Sequence, residues 1–329
     1  MTSKKGISAT RLKTIYQRQR EPCWDVTYIP AILATPQEAP SISRAFTLTS
    51  GKLPGREVHT LSIAERHAAL LGFYHPKVVG LQEQRMLSPE PAVHPLWTYS
   101  KIDRSALKHL KGVIDVAERL DLLDVLPRIS VPVPEAPGQR MTVIYPWCGD
   151  LLWAIAADDG HVYCVNWTIK DKRQGFVTAS PLRNGRPTAR ATLREVLGRH
   201  EIEAAFYADV GIPTVQVAGE EISHHVTANL RQLFLHHRRK LALRDEQEEE
   251  ILDKYQRALQ LGITPAEVIT LFAERGRYSV DQCRSVFYQA VWYRKLRLDL
   301  FQPILINRPM NPETRDVLDV YGDWFREGI

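Results

Sequence analysis

Three residues of this 329-residue chain invite a chemical reading together: Glu65, Asp150 and Lys170. Asp150 follows Gly149 and opens the run "DLLWAIAAD", while Lys170 ends the run "HVYCVNWTIK". The "DDG" between these runs is a strong hairpin signal. Two antiparallel strands joined there set the start of the first beside the end of the second, so Asp150 and Lys170 are expected to meet at the open end of the hairpin. Glu65 falls in the first turn of a helix read from "SIAERHAALLGFYHP", where a short rotation aims it at the same place. Ser62 and Glu65 also have the spacing of a capping box, which would give this glutamate a purely structural task.

An aspartate, a glutamate and a lysine at one sheet edge make a sensible phosphodiesterase site. The carboxylates suit Mg²⁺, which takes oxygen ligands in octahedral geometry, and Mn²⁺ is expected to substitute. Such a metal polarises a phosphoryl oxygen and acidifies a bound water. The lysine can orient or deprotonate that water, or neutralise charge developing on the phosphorane.

The surrounding pattern is that of an α/β protein. Residues 1–40 are basic and then proline-containing, and read as an arm with little regular structure. The span 41–222 holds a helix, a β-rich run "KVVGLQEQRMLS", a helical insertion near 100–126, the hairpin, a long helix in "PTARATLREVLGRHEIEAAFYADVGI" and a strand in "PTVQVAGEEI". From 223 to 329 the chain turns helical. Thr264, Pro265 and Glu267 form a capping box with proline at the first helical position. A further helix covers 279–293, and "RLDLFQPILIN" reads as a short β wing, so this part is expected to be winged-helix-like.

The order of Glu65, Asp150 and a strand ending in Lys170, followed by helix and strand, resembles the restriction-endonuclease-like PD-(D/E)xK fold. More closely, "GREVHTLSIAERHAALLGFYHPKVVGLQEQ", "YCVNWTIKDK" and "HEIEAAFYADVGIPTVQV" are similar to the TnsA-type endonuclease, covering residues 50–222 and, more faintly, the helical C-terminal part. The resemblance implies the endonuclease subunit of a cut-and-paste transposase in Tn-seven-like elements. Such a subunit nicks the 5′ ends of the transposon, while a partner transposase of RNase-H fold cuts and joins the 3′ ends and an AAA+ ATPase regulates both. Carried over, Glu65 and Asp150 would bind Mg²⁺, Lys170 would be the active-site lysine, and the backbone carbonyl of Ile169 would be a further ligand. Thr168 stands where that family has an acidic or amide side chain. Glu203 is the candidate to replace it, with Glu201 second.

Composition sets outer bounds. A net charge of +5 and pI near 9.0 favour a polyanionic partner. Lys172, Arg173, Arg183, Arg186 and Arg190 follow the lysine strand and are candidates to line a DNA path, while Arg284, Tyr288, Arg294 and Lys295 offer a second basic surface that suits DNA or, preferably, a partner protein. The basic and acidic blocks within 231–253 read as a salt-bridged helix turn. The four cysteines have neither zinc-site nor disulfide-framework spacing. With no signal-like or membrane-spanning run, the expected setting is a bacterial cytoplasm, nucleoid-associated when active. Two other readings share these residues: a stand-alone restriction or repair nuclease, and a DNA-binding scaffold whose nuclease core has decayed.

Overall fold

The computed structural model describes residues 7–41, 43–100, 102–133, 136, 138–178 and 193–328. The chain divides into two compact units, one of Met1–Ala68, Lys77–Glu221 and Trp324–Ile329, the other of Ala69–Pro76 and Ile222–Asp323. Its class is mixed α/β.

The first unit is organised by a four-stranded sheet of β3 (Val78–Glu83), β6 (Leu151–Ala156), β7 (Val162–Lys170) and β8 (Thr214–Ala218) in that spatial order. The ladders β3–β6 and β6–β7 are antiparallel, and β8 runs parallel to β7. A parallel neighbour needs a crossover, which α4 (Leu193–Ala208) supplies. The β6–β7 hairpin forms as the turn chemistry predicts: Gly160 takes φ +90°, which a side chain disfavours, and Ala157 N–H donates to His161 O. Trp153 and Trp167, fully buried and edge-to-face at 5.5 Å, fill the sheet on one side of this pair. Smaller elements flank it: β1 (Phe46–Leu48) pairs with β2 (Val58–Thr60), α2 (Ile63–Tyr74) follows, and β4 (Arg128–Pro132) pairs with β5 (Arg140–Ile144) as an exposed ribbon.

Three local expectations change. Residues 9–19 of the supposed arm are a helix, α1 (Ala9–Gln19), capped by Ser8 and burying Leu12 and Ile15. Two of its cations are internal: Arg18 grips Glu38 through two hydrogen bonds of 2.8 Å, and Arg11 lies 3.8 Å from the same carboxylate. The helical insertion shrinks to α3 (Val113–Arg119), because Gly112 at φ +96° and Asp121 at φ +55° break the helix on either side. The third difference is a segment after the second unit. Trp324–Gly328 returns to the sheet, where Trp167 Nε1 donates to Trp324 O (2.7 Å), Tyr163 Oη to Phe325 O (2.9 Å), and the Trp167 and Phe325 rings lie 5.0 Å apart.

In the second unit α5 (His224–Phe234), α6 (Asp245–Leu261) and α7 (Pro265–Glu274) all pack on α8 (Val280–Trp292), and a short α9 (Val317–Val320) follows. The Thr264–Glu267 capping box forms reciprocally, with Pro265 at the first helical position. No wing forms: among the described residues after 222 there is no strand, only an isolated Leu298–Pro312 bridge. Pro303, Pro309 and Pro312 lack the N–H groups a ladder needs, and Asn229 instead pins this segment through Leu300 O, Gln302 O and Ile304 N. Of the residues offered at α8 as a surface for DNA or a partner protein, Tyr288 is buried and hydrogen-bonded to Gln232, Arg294 is paired with Asp316, and Lys295 alone is exposed. The basic and acidic blocks also choose other partners, Arg239 joining Asp281 and Glu250 joining Arg277.

The C-terminal return is tested by Phe325→Ala. Removing a buried ring from Trp167 is expected to cost about 3–5 kcal/mol of unfolding free energy, read by denaturant titration of tryptophan fluorescence.

Candidate active site

The site is assembled where β3, β6 and β7 end together. The β6–β7 register pairs Leu151 with Trp167, so one step further sets Asp150 opposite Thr168. Asp150 Oδ2 there accepts the Ile169 N–H at 2.6 Å, and Asp150 O accepts the Gln84 N–H at 2.9 Å. Alternation along β7 puts Asn166, Thr168 and Lys170 on one face and Trp167 and Ile169 on the other. Helix α4 covers the first face, where Asn166 Nδ2 donates to Glu203 Oε1 at 3.0 Å. Gly149 leaves room for a close approach: a Cβ there would lie 3.2 Å from Glu203 Oε1.

Glu65 arrives from α2. Its backbone N–H donates to Ser62 Oγ (3.0 Å), but its carboxylate does not close the box on Ser62. Instead Oε2 accepts the Leu61 N–H (2.8 Å) and the Gln84 side-chain amide (3.1 Å). Half of the capping box is thus kept, and the carboxylate is turned inward. Gln84 holds both acids in place, one through its backbone and one through its side chain, from a left-handed φ of +51° that is unusual for a residue with a side chain. That conformation follows a buried anchor. Glu83 forms a two-pronged ion pair with Arg56, both bonds 2.9 Å, and also accepts the His59 N–H, while the arginine donates to Leu81 O and lies over the Tyr28 ring.

The acids are crowded. Burial foremost, then the Asp150 charge, pushes the Glu65 carboxyl up to about 8, against the pull of the Leu61 N–H, the Ser62 hydroxyl and Lys170. Asp150 is raised by burial despite Lys170, the Ile169 N–H and Arg199. Glu203 is raised by burial, with Arg199 opposing and Asp150 adding to the rise. Asp150 therefore sits electrostatically between the other two acids, with Lys170 acting on all three. Geometrically, no three His, Cys, Asp or Glu side chains among the described residues converge closely enough to hold a metal ion between them. The oxygen donors are instead two acids from different elements, with main chain between them.

The structure brings together Glu65, Asp150, Lys170 and Glu203, whereas Glu201 faces solvent. At Ile169 the group bound to Asp150 is the amide N–H. Thr168 is buried, 3% exposed. Lys172 is exposed, as a DNA contact requires. Arg173 is not a free cation: it forms two hydrogen bonds of 2.8 and 2.6 Å with Glu221, which takes its fork away from phosphate. Arg183, Arg186 and Arg190 lie outside the described residues. Residues without an expected role are also present: Gln84, Asn166, Arg199 and His200. Counting back in twos from Lys170 points to Asn166, helical spacing back from Glu203 points to Arg199 and His200, and Gln84 closes the run ending "LQEQ" that resembles the endonuclease family.

Two outcomes follow from this geometry. Arg56→Met leaves Glu83 buried without its counter-charge and is expected to cost about 3–5 kcal/mol in a chemical denaturation experiment. For Glu65, the carboxyl's proton affinity is higher folded than unfolded, so its contribution to stability is full below about pH 4.5 and is lost as pH rises through about 8. The urea midpoint of the metal-free protein should fall across that window, and Glu65→Gln should remove that part of the slope.

No family model matches the chain and no curated protein matches it, so its functional reading rests on these residues and their geometry.

Proposed function

We propose that this chain is a Mg²⁺-dependent DNA endonuclease of restriction-endonuclease-like fold, acting as the 5′-nicking subunit of a cut-and-paste transposase. The observation that carries the reading is the convergence of Glu65, Asp150 and Lys170 at the open end of the β6–β7 hairpin, with both acids pushed upward by burial. The antiparallel β3–β6–β7 order, with β8 parallel and reached through α4, supports the fold.

The donor set fits a hard divalent cation. Two acids that burial and mutual repulsion drive toward protonation are what a dication would relieve, since binding it favours their charged forms. Glu65 and Asp150 would hold Mg²⁺ or Mn²⁺, with the Ile169 carbonyl as a further oxygen; Glu203, which accepts from Asn166, would have to turn to join them in place of the neutral Thr168 hydroxyl. Bound there, the ion supplies polarisation of the phosphoryl oxygen and a more acidic water. Lys170 orients the attacking water and offsets charge developing on the phosphorane. Gln84 fixes the Glu65 carboxylate, and the Ile169 N–H fixes that of Asp150, so both acids meet the substrate in set orientations. Of the five cations expected along a DNA path, Lys172 is exposed and would track the DNA backbone.

The partners in this reading are transposon-end DNA, an RNase-H-fold transposase and an AAA+ ATPase. Because α8 is largely buried among α5, α6 and α7, it offers little surface for base reading by the second unit.

Asp150→Ala and Lys170→Ala are expected to lower 5′-strand nicking by about 10²-fold or more, with complex assembly intact. Undiminished nicking by both variants would overturn the site. Efficient cutting of naked DNA without any partner would favour a stand-alone nuclease, and calorimetry without Mg²⁺ or Mn²⁺ uptake would favour a decayed scaffold.

A further inference from the structure

The 3₁₀ turn Arg173–Phe176, which follows β7, touches two side chains of the site at once. A Cβ on Gly175 would stand 3.3 Å from Lys170 Cβ and 3.4 Å from its Cγ, so the lysine stem lies along the turn. The next residue, Phe176, is buried and meets the His200 ring edge-to-face at 5.2 Å. One two-residue platform therefore carries both the Lys170 stem and the His200 imidazole. His200 comes from α4, one turn before Glu203, and is 8% exposed.

The ring has an unanswered polar atom: His200 Nδ1 is buried without a hydrogen-bond partner. Leaving such a group unpaired costs about 1–3 kcal/mol, so a donor within reach of the ring gains by pairing with it. The imidazole is neutral, because burial foremost, and then Lys170 and Arg199, hold its pKa down to about 4. A neutral imidazole has one acceptor nitrogen, whereas an ammonium has three donors and no acceptor.

We propose that His200 is a positioning residue for Lys170, its Nδ1 accepting a hydrogen bond from Nζ and holding the ammonium toward Asp150. In this arrangement Nε2 carries the ring proton, and the Phe176 edge sets the ring plane. The lysine is then fixed at both ends, its stem by Gly175 and its head by His200. A long flexible cation otherwise loses rotamer entropy each time it is placed, and a pre-set head removes that cost from the reacting state. The role at the reaction rests on the endonuclease reading, but the His200–Lys170 contact does not.

Two arms test it. Histidine-selective ¹⁵N NMR on the full chain compares wild type with Lys170→Met, which keeps the stem and removes the donor. The His200 Nδ1 resonance is expected to move, and an unchanged resonance overturns the contact. In nicking assays with the assembled complex, His200→Phe keeps the ring on Phe176 but lacks the nitrogen, and is expected to lower kcat about ten- to a hundred-fold at unchanged KM for DNA. His200→Asn restores a polar atom near Nδ1 and is expected to recover most of that loss. Wild-type kcat in His200→Phe, or equal loss in both variants, overturns the positioning role. If wild type itself does not nick under any partner condition, the endonuclease reading fails while the NMR arm still decides the contact.

Discussion

The Arg56–Glu83 ion pair is the constraint on which the rest of the candidate site hangs. Both side chains are withdrawn from water, at 5% and 0% exposure, so the pair persists only through good geometry and added hydrogen bonds. It has both: a two-pronged fork, the His59 N–H on the carboxylate, Leu81 O on the guanidinium and a Tyr28 ring beneath. Because Glu83 is the last residue of β3, the pair stops that strand at a set point and leaves Gln84 to turn. Gln84 then reaches Asp150 through its backbone and Glu65 through its side chain. Arg56 and the Glu83–Gln84 pair are thus two halves of one device. The first half supplies the anchor, and the second converts it into the placement of two acids.

That placement sets carboxylates against one another. Glu65 and Glu203 both feel Asp150, and burial raises all three. A fold selected for stability alone would separate them or add counter-charge. Keeping them together with Lys170 trades stability for a pocket in which a cation or a developing charge is felt strongly. The unpaired His200 Nδ1 and Asn166 Oδ1 belong to the same economy, since both are buried polar atoms beside these acids and neither has a hydrogen-bond partner.

The basic character of the chain proves less informative than its net charge implies. Arg11 and Arg18 serve Glu38, Arg173 serves Glu221, and Arg294 serves Asp316. The pairs on Glu38 and Asp316 are largely buried and fold the chain, while the Arg173–Glu221 pair lies at the surface and still occupies the cation with a carboxylate. Charge counting cannot separate the two uses, because a guanidinium contributes equally to pI whether it meets a carboxylate or a phosphate.

What the amino-acid sequence determined by itself was local. The "DDG" turn, the alternation along β6 and β7, the first-turn position of Glu65 and the Thr264–Glu267 cap all depend on residues a few positions apart, and each formed as its pattern predicts. The hairpin alone was enough to set Asp150 near Lys170. Tertiary structure decided everything that depends on a distant partner. It turned Glu65 from its own cap to the Gln84 amide, selected Glu203 over Glu201, buried α8 on several sides, and laid Trp324 and Phe325 on Trp167. It also folded the supposed arm into α1 by giving its arginines a carboxylate. Backbone periodicity is written in neighbours. Burial and the choice of hydrogen-bond partner are settled only when segments far apart in the chain compete for the same interior space, and in this protein the candidate site is built from that competition.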